Sequence, residues 1–269
     1  MIMRRLTLFI AVCGAALTTA AYAQNAVNPD RDKPLEITAD ESLEWHRNEL
    51  FFQAKKNVRA VQGATTLLSD VLVAKYRESK KSNMEIYNIQ ATGSVQIISA
   101  KSKAYGDKAV YNVDKGFAVM TGRNLRLVSE DQTVTARDKL QYWVNQGRLE
   151  AIGRAVAVRE GDRVEADKLI AVFLEGADGK RVLKTLEAIG SVVITTPTEV
   201  LTGDRARYEA QTNIAELQDN VRITKGPNVL EGARAQVNLE TNISKIFGSK
   251  DKDGGRVKGV FYPRSEDKP

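Results

Sequence analysis

One cysteine, Cys13, and one histidine, His46, are all the thiol and imidazole that the 269 residues hold. A Cys/His zinc centre, a cysteine nucleophile or a disulfide framework cannot be assembled from that inventory. Catalytic signatures are missing as well: the chain has no G-x-S-x-G, H-E-x-x-H, G-x-x-x-x-G-K-[ST] or G-x-G-x-x-G. His46 stands beside Trp45 with no nucleophile motif for company, so it reads as an exposed or partly packed side chain. Aromatic residues make up only 6% of the chain and form no girdles, which argues against an outer-membrane barrel. The run Asp251-Lys252-Asp253-Gly254 starts like a calcium loop, but the later ligands and the closing Glu are missing, so it reads as a turn. No enzyme activity, cofactor or metal is expected.

Charge of one sign is scarce too. Lys and Arg number 40 against 34 Asp and Glu, a net charge of +6, and the pI is about 9.3. The cations are interleaved with acids and form no aromatic-rich basic stripe, so nucleic acid is not an expected partner. A modest positive charge suits an anionic lipid head group equally well.

Residues 1–5 are a short basic start, 6–17 an apolar run, and Ala21-Tyr22-Ala23 an A-x-A cleavage site. This pattern predicts a cleavable signal peptide over residues 1–23, too short in its apolar part to span a bilayer. Cleavage would leave 246 residues without cysteine and a charge of +4. An exported protein that needs no disulfides is expected.

What the chain has in abundance is repetition. A small residue or Arg followed by Asp recurs at Ala39-Asp40, Ser69-Asp70, Gly106-Asp107, Arg137-Asp138, Ala166-Asp167 and Gly203-Asp204, then degenerates to Ala233-Arg234. Between these lies a second marker: Asn57-Val58, Gly93-Ser94-Val95, Gly122, Gly153, Gly190-Ser191-Val192 and Asn220-Val221. The units are about 30 residues long, with two longer ones whose extra residues fall in the loop-like stretches 77–83 and 175–180. Asp70 to Asp167, Asp107 to Asp204 and Gly93 to Gly190 are all 97 residues apart. A block of three units was therefore duplicated, with blocks near residues 40–136 and 137–234. The recurring Asp residues are expected to cap turns at one corner of each unit.

Within each unit apolar residues alternate. Ala109, Tyr111 and Val113 follow Asp107; Leu140, Tyr142 and Val144 follow Asp138. Period 2, rich in Val, Ile, Thr and Tyr and punctuated by Gly, Asn and Asp, predicts short half-buried strands. The stretch 182–189 has spacing compatible with a helix, but its counterpart 84–89 is β-like, so it is read as a strand. Two strands per unit give an elongated all-β stack of about fourteen. Its inward positions include Val58, Leu67, Val95, Ile97, Val113, Leu125 and Leu127. If the two sheets close, these are a core; if they splay like a V, the same residues line an apolar groove.

The run Lys33-Pro34-Leu35-Glu36-Ile37-Thr38-Ala39-Asp40, with Asn57-Val58, Ser69-Asp70, Phe117-Ala118-Val119-Met120-Thr121-Gly122 and Gly255-Arg256-Val257-Lys258-Gly259-Val260-Phe261-Tyr262-Pro263, resembles the OstA-like domain family, in particular its periplasmic lipopolysaccharide-transport members. The resemblance spans about residues 33–263, with the domain itself expected over 35–263, after a linker at 24–34 and before a tail at 264–269. It implies an open, V-shaped β-jellyroll of consecutive antiparallel strands that carries lipid A acyl chains in its groove. Leu35, Ile37, Ile97 (or Ile98, one residue on) and Val113 match family positions near the lipid. It also implies a bridge between an inner-membrane transporter complex and an outer-membrane translocon, with head-to-tail self-association through the edge strands. Leu35 and Ile37 would lie on the first edge, and Val257 and Val260 on the last. Open edges are ready templates for strand addition.

The leading expectation is thus a periplasmic carrier of lipopolysaccharide with a groove formed by Leu35, Ile37, Val58, Leu67, Val95, Ile97, Val113, Leu125 and Leu127. The alternative keeps the fold and drops the lipid: a β-scaffold that pairs with other β-domains through its edges. A membrane-anchored partner of the same system and a glycan hydrolase using Glu165 and Asp167 complete the readings.

Overall fold

The structure is a computed structural model that describes residues 33–78, 84–100, 102–175, 181–238, 240–241, 243–249 and 255–262. The expected signal peptide, nearly all of the linker, the tail, residues 79–83 and 176–180 and the Asp251–Gly254 turn lie outside the described residues.

Alternation of apolar and polar residues produces strands throughout, and the ladders between them are antiparallel, mostly between strands close in sequence. Ten long strands each form one layer: β3 (Phe51–Gln62), β4 (Thr65–Arg77), β5 (Glu85–Ile98), β6 (Ser102–Asn112), β11 (Arg148–Arg159), β12 (Asp162–Glu175), β13 (Arg181–Thr195), β14 (Val200–Glu209), β15 (Ile214–Lys225) and β16 (Asn228–Asn238). Eight short strands pair up into four further layers. β1 (Leu35–Thr38) and β2 (Ser42–His46) share the flank of β3, and β7 (Phe117–Thr121) and β8 (Leu125–Ser129) that of β6. β9 (Gln132–Ala136) and β10 (Lys139–Trp143) lie beside β11, and β17 (Ile243–Phe247) and β18 (Lys258–Val260) beside β16. Among the described residues, eighteen strands thus make fourteen layers, where the repeat predicts about fourteen strands, because four layers are each split into two short strands. At ~4.8 Å per layer the stack runs roughly 60 Å. The stretch 182–189 is indeed strand, within β13.

Each layer bends at its middle. The register slips between Lys55 and Val58, Thr92 and Val95, Ile152 and Ala155, Ile189 and Val192, and Gln218 and Val221, wherever the second sequence marker falls. These are β-bulges, and they turn the strand. At the bends Asn57, Gly93, Gly153, Gly190 and Asn220 adopt positive φ, a conformation open chiefly to Gly and Asn. The aspartates stand opposite, on the neighbouring layer. Asn57 and Asn220 donate from Nδ2 to Asp40 and Asp204 at 2.7 and 2.8 Å, and the Arg123 N–H donates to Asp107 Oδ2 at 2.8 Å. A Cβ added at Gly93 would fall 2.1 Å from Asp70 Oδ2. The expected turn cap is thus corrected: each aspartate covers the bend of the next strand, because the corner is a seam shared by adjacent layers.

The seam divides every layer into two halves, and apolar residues from both halves meet between them. One hydrophobic cluster runs from Ala91 and Val95 through Leu125, Val134, Leu140, Ala155, Val164 and Val192 to Leu217 and Ala235. A second surrounds Ala54, Val58 and Leu72 at the start of the stack. The two longer units owe part of their extra length to longer strands rather than to loops alone. Past a second bulge, Tyr76 and Arg77 still pair with Ile86 and Glu85, and Phe173 to Glu175 with Leu183 to Arg181.

Candidate functional site

Where the halves face each other in the first block, they leave an apolar groove of about 150 Å³. One wall carries Leu35, Leu67, Ile97, Ala104 and Leu127, all from strand segments on one side of the seam. The opposite wall carries Ile89, Tyr111, Ala118, Met120, Tyr142 and Leu149. Alternation explains both walls: every second residue after a corner points inward, and those positions are apolar. Among the described residues, no Asp, Glu, Lys, Arg or His lines the groove; its polar contacts come from Gln62, Thr65, Gln141 and the tyrosines. At the first edge, Leu43 is 56% and Trp45 47% exposed. Trp45 stacks on Phe52 and donates from Nε1 to the Tyr76 hydroxyl at 2.8 Å.

Of the expected groove residues, Leu35, Leu67, Ile97 and Leu127 lie on its wall. Val58, Val95 and Leu125 are buried at the seam, each 1% exposed, and do not line the groove. Ile37, on β1, packs against the second cluster, and Val113 lies in the turn after β6, where its N–H donates to the Tyr87 carbonyl at 2.9 Å. Val260 lies in β18, paired with Val229. Val257 precedes β18 and is exposed rather than part of the edge strand, because the ladder to β16 starts only at Lys258. The second wall, Ile89 with Tyr111, Tyr142 and Leu149, was not singled out from sequence. Its signal is the alternation that also yields Ala109 and Leu140.

β1 and β2 pair only with β3, and β17 and β18 only with β16. Both ends of the stack therefore present strands with one unpaired side among the described residues.

The titratable groups serve structure. His46 bonds Glu44 at 3.0 Å and stacks on Phe51 at 4.2 Å. Hydrogen bonds from Lys55, then from His46 and Ser42, hold the Glu44 carboxyl down at about 2. Glu165 is taken by Arg163 at 2.8 Å, which lowers its pKa, while Asp167 lies against Gly190. Each member of that carboxylate pair is thus engaged separately. Among the described residues, no cluster of His, Cys, Asp or Glu could hold a metal ion.

What the arrangement can do is bury alkyl chain. Each methylene moved from water into such a surface contributes about 0.8 kcal/mol, and nothing on the walls would have to give up a charge.

The profile of the family described as "LptA/(LptD N-terminal domain) LPS transport protein" matches residues 36–148 and 137–243. Among solved structures the chain is similar to LptH, the LptA homologous periplasmic component of the conserved lipopolysaccharide transport device from Pseudomonas aeruginosa. The identity is 12%, covering 88% of this chain and 100% of that one at a TM-score of 0.22. No curated protein matches the chain.

Proposed function

The chain belongs to the LptA/(LptD N-terminal domain) family of LPS transport proteins, and from that premise we propose that it is a periplasmic carrier that conducts lipopolysaccharide from the inner to the outer membrane along the apolar groove. The observation that carries this reading is the groove itself: two facing walls of aliphatic and aromatic residues, without a charge, in a stack whose seam prevents collapse into two flat sheets. Acyl chains of lipid A occupy it, in contact with Leu35, Leu67, Ile97 and Leu127, and the charged outer faces stay in water. Open strands at both ends support a bridging role, in which β1 and β18 accept strands of neighbouring β-domains, from the transporter complex, the translocon or another copy of the chain.

Protein purified from periplasm without detergent is expected to yield lipid A in about 1:1 ratio when its extracted lipid is weighed by mass spectrometry. Replacement Ile97→Asp places a carboxylate on the wall and should abolish the lipid while the β circular dichroism persists. A protein that arrives empty and also takes up no lipid A offered in vitro would overturn the carrier and leave the edge-pairing scaffold.

A further inference from the structure

The two blocks contain the same cavity twice. Leu67, Ile89, Ile97, Tyr111 and Ala118 line the groove of the first block. Residues 97 positions on, Val164, Leu186, Ile194, Tyr208 and Ala215, line a second cavity of about 40 Å³ between β12, β13, β14 and β15. Six layers at ~4.8 Å separate them by roughly 29 Å.

Two differences between the copies bear on the room inside them. Beside Ile97 the neighbouring strand offers Ala104, whereas beside Ile194 it offers Leu201. Leu201 is buried, at 8% exposure, and occupies space that Ala104 leaves open. In the second cavity the Tyr208 hydroxyl donates to Asn213 Oδ1 at 3.1 Å. The equivalent of Asn213 is Gly116, with the same left-handed φ, 56° against 53°, and so the buried Tyr111 hydroxyl is left without a hydrogen-bond partner. On the hairpins of the lip charge is redistributed rather than added: Gly63, Thr65 and Ser102 become Glu160, Asp162 and Glu199, while Glu130 and Asp131 become Pro227 and Asn228, and Glu199 is paired with Lys225 at 2.6 Å.

We infer that the duplication made two acyl-chain seats, of which the first holds the cargo and the second is a narrowed passage. The inference rests on the carrier reading above. The occupant of the first seat is the acyl region of an anionic amphiphile. Its chains fill the space next to Ala104, and an oxygen on the chain or its linkage accepts from Tyr111, meeting a donor that the fold leaves unmet. An orphan hydroxyl and a missing side chain are independent features, and both favour the same block.

A photoreactive benzophenone side chain at position 97 or 194 reports each seat from equivalent places. With hexa-acylated lipid A as the probe, crosslinking from 97 should exceed that from 194 about tenfold. Ala104→Leu, borrowed from the second block, should cut the yield at 97 several-fold, and Leu201→Ala should raise that at 194. Tyr111→Phe should weaken lipid A binding roughly five- to tenfold without lowering the melting temperature, and Tyr208→Phe should leave binding unchanged. Equal crosslinking from both positions, insensitive to the swaps, would overturn the division of labour while leaving the carrier intact. No lipid crosslinked at either position would overturn both.

Discussion

At the scale of single residues, the seam and the lip show how position decides whether a carboxylate helps the fold. Asp40 and Asp204 accept hydrogen bonds across a bend. Asp162 is buried at the lip, 3% exposed, and its Oδ2 has no partner. Burial, and then the nearby Glu160, push its pKa up. A carboxyl raised in this way binds its proton more tightly in the folded chain. Its contribution to stability is therefore fully present below the unfolded value of about 3.9 and is lost as pH rises through the raised folded value. Asp162→Asn removes the charge and should stabilise the protein at pH 7 by about 1 kcal/mol. Melting curves across pH should show that advantage shrinking to nothing by about pH 4. A constant advantage at every pH would assign the gain to packing instead.

At the scale of the strand, the informative unit is the bent layer rather than the straight ladder. Gly93 has φ +82, and a Cβ there would lie 2.1 Å from Asp70 Oδ2 and 2.7 Å from its Cγ. Gly93→Ala combines backbone strain with a clash, and thermal unfolding should register a loss of about 2–4 kcal/mol. Gly93→Asn, which copies the corner at Asn57, should lose less, since Asn tolerates the left-handed region. Equal losses would mean that the backbone conformation is irrelevant there. This layer of organisation was largely legible in the sequence. Alternation located the strands, and the two interleaved markers, Asp70 with Gly93 or Asp40 with Asn57, located the corners. Their pairing was not legible: spacing along the chain says that the markers share a period, but only the hairpin register brings an aspartate over the bend of its neighbour. The same gap hid the second wall. Tyr111 and Tyr142 alternate as clearly as Leu125 and Leu127, yet the period alone does not say which half of a bent strand faces which.

At the scale of the whole molecule, the sequence could not distinguish a closed core from a splayed one, because identical aliphatic residues serve both. The structure divides them: Val58, Val95 and Leu125 are closed at the seam, whereas Leu67, Ile97 and Leu127 face the groove. The repeat also raises the question of whether the two blocks fold as separate units. The ladders argue that they do not. β7 to β10, at the junction, are short, but their halves together match the length of the unbroken strands on either side. The large hydrophobic cluster crosses the junction through Met120, Leu125, Val134 and Leu140 without interruption. In a stack where each layer touches only its neighbours, stability is a sum of neighbour terms, and the end layers, with one neighbour each, open first. Hydrogen exchange should therefore show one broad maximum of protection over β5 to β15, continuous through β7 to β10 and falling towards β1, β2, β17 and β18. Two maxima with a trough at β7 to β10 would make the blocks independent domains. A single maximum has a consequence for the proposed carrier: a stack that does not part at its middle would keep the two seats in one frame, and cargo would have to pass along the groove while the walls stay in register.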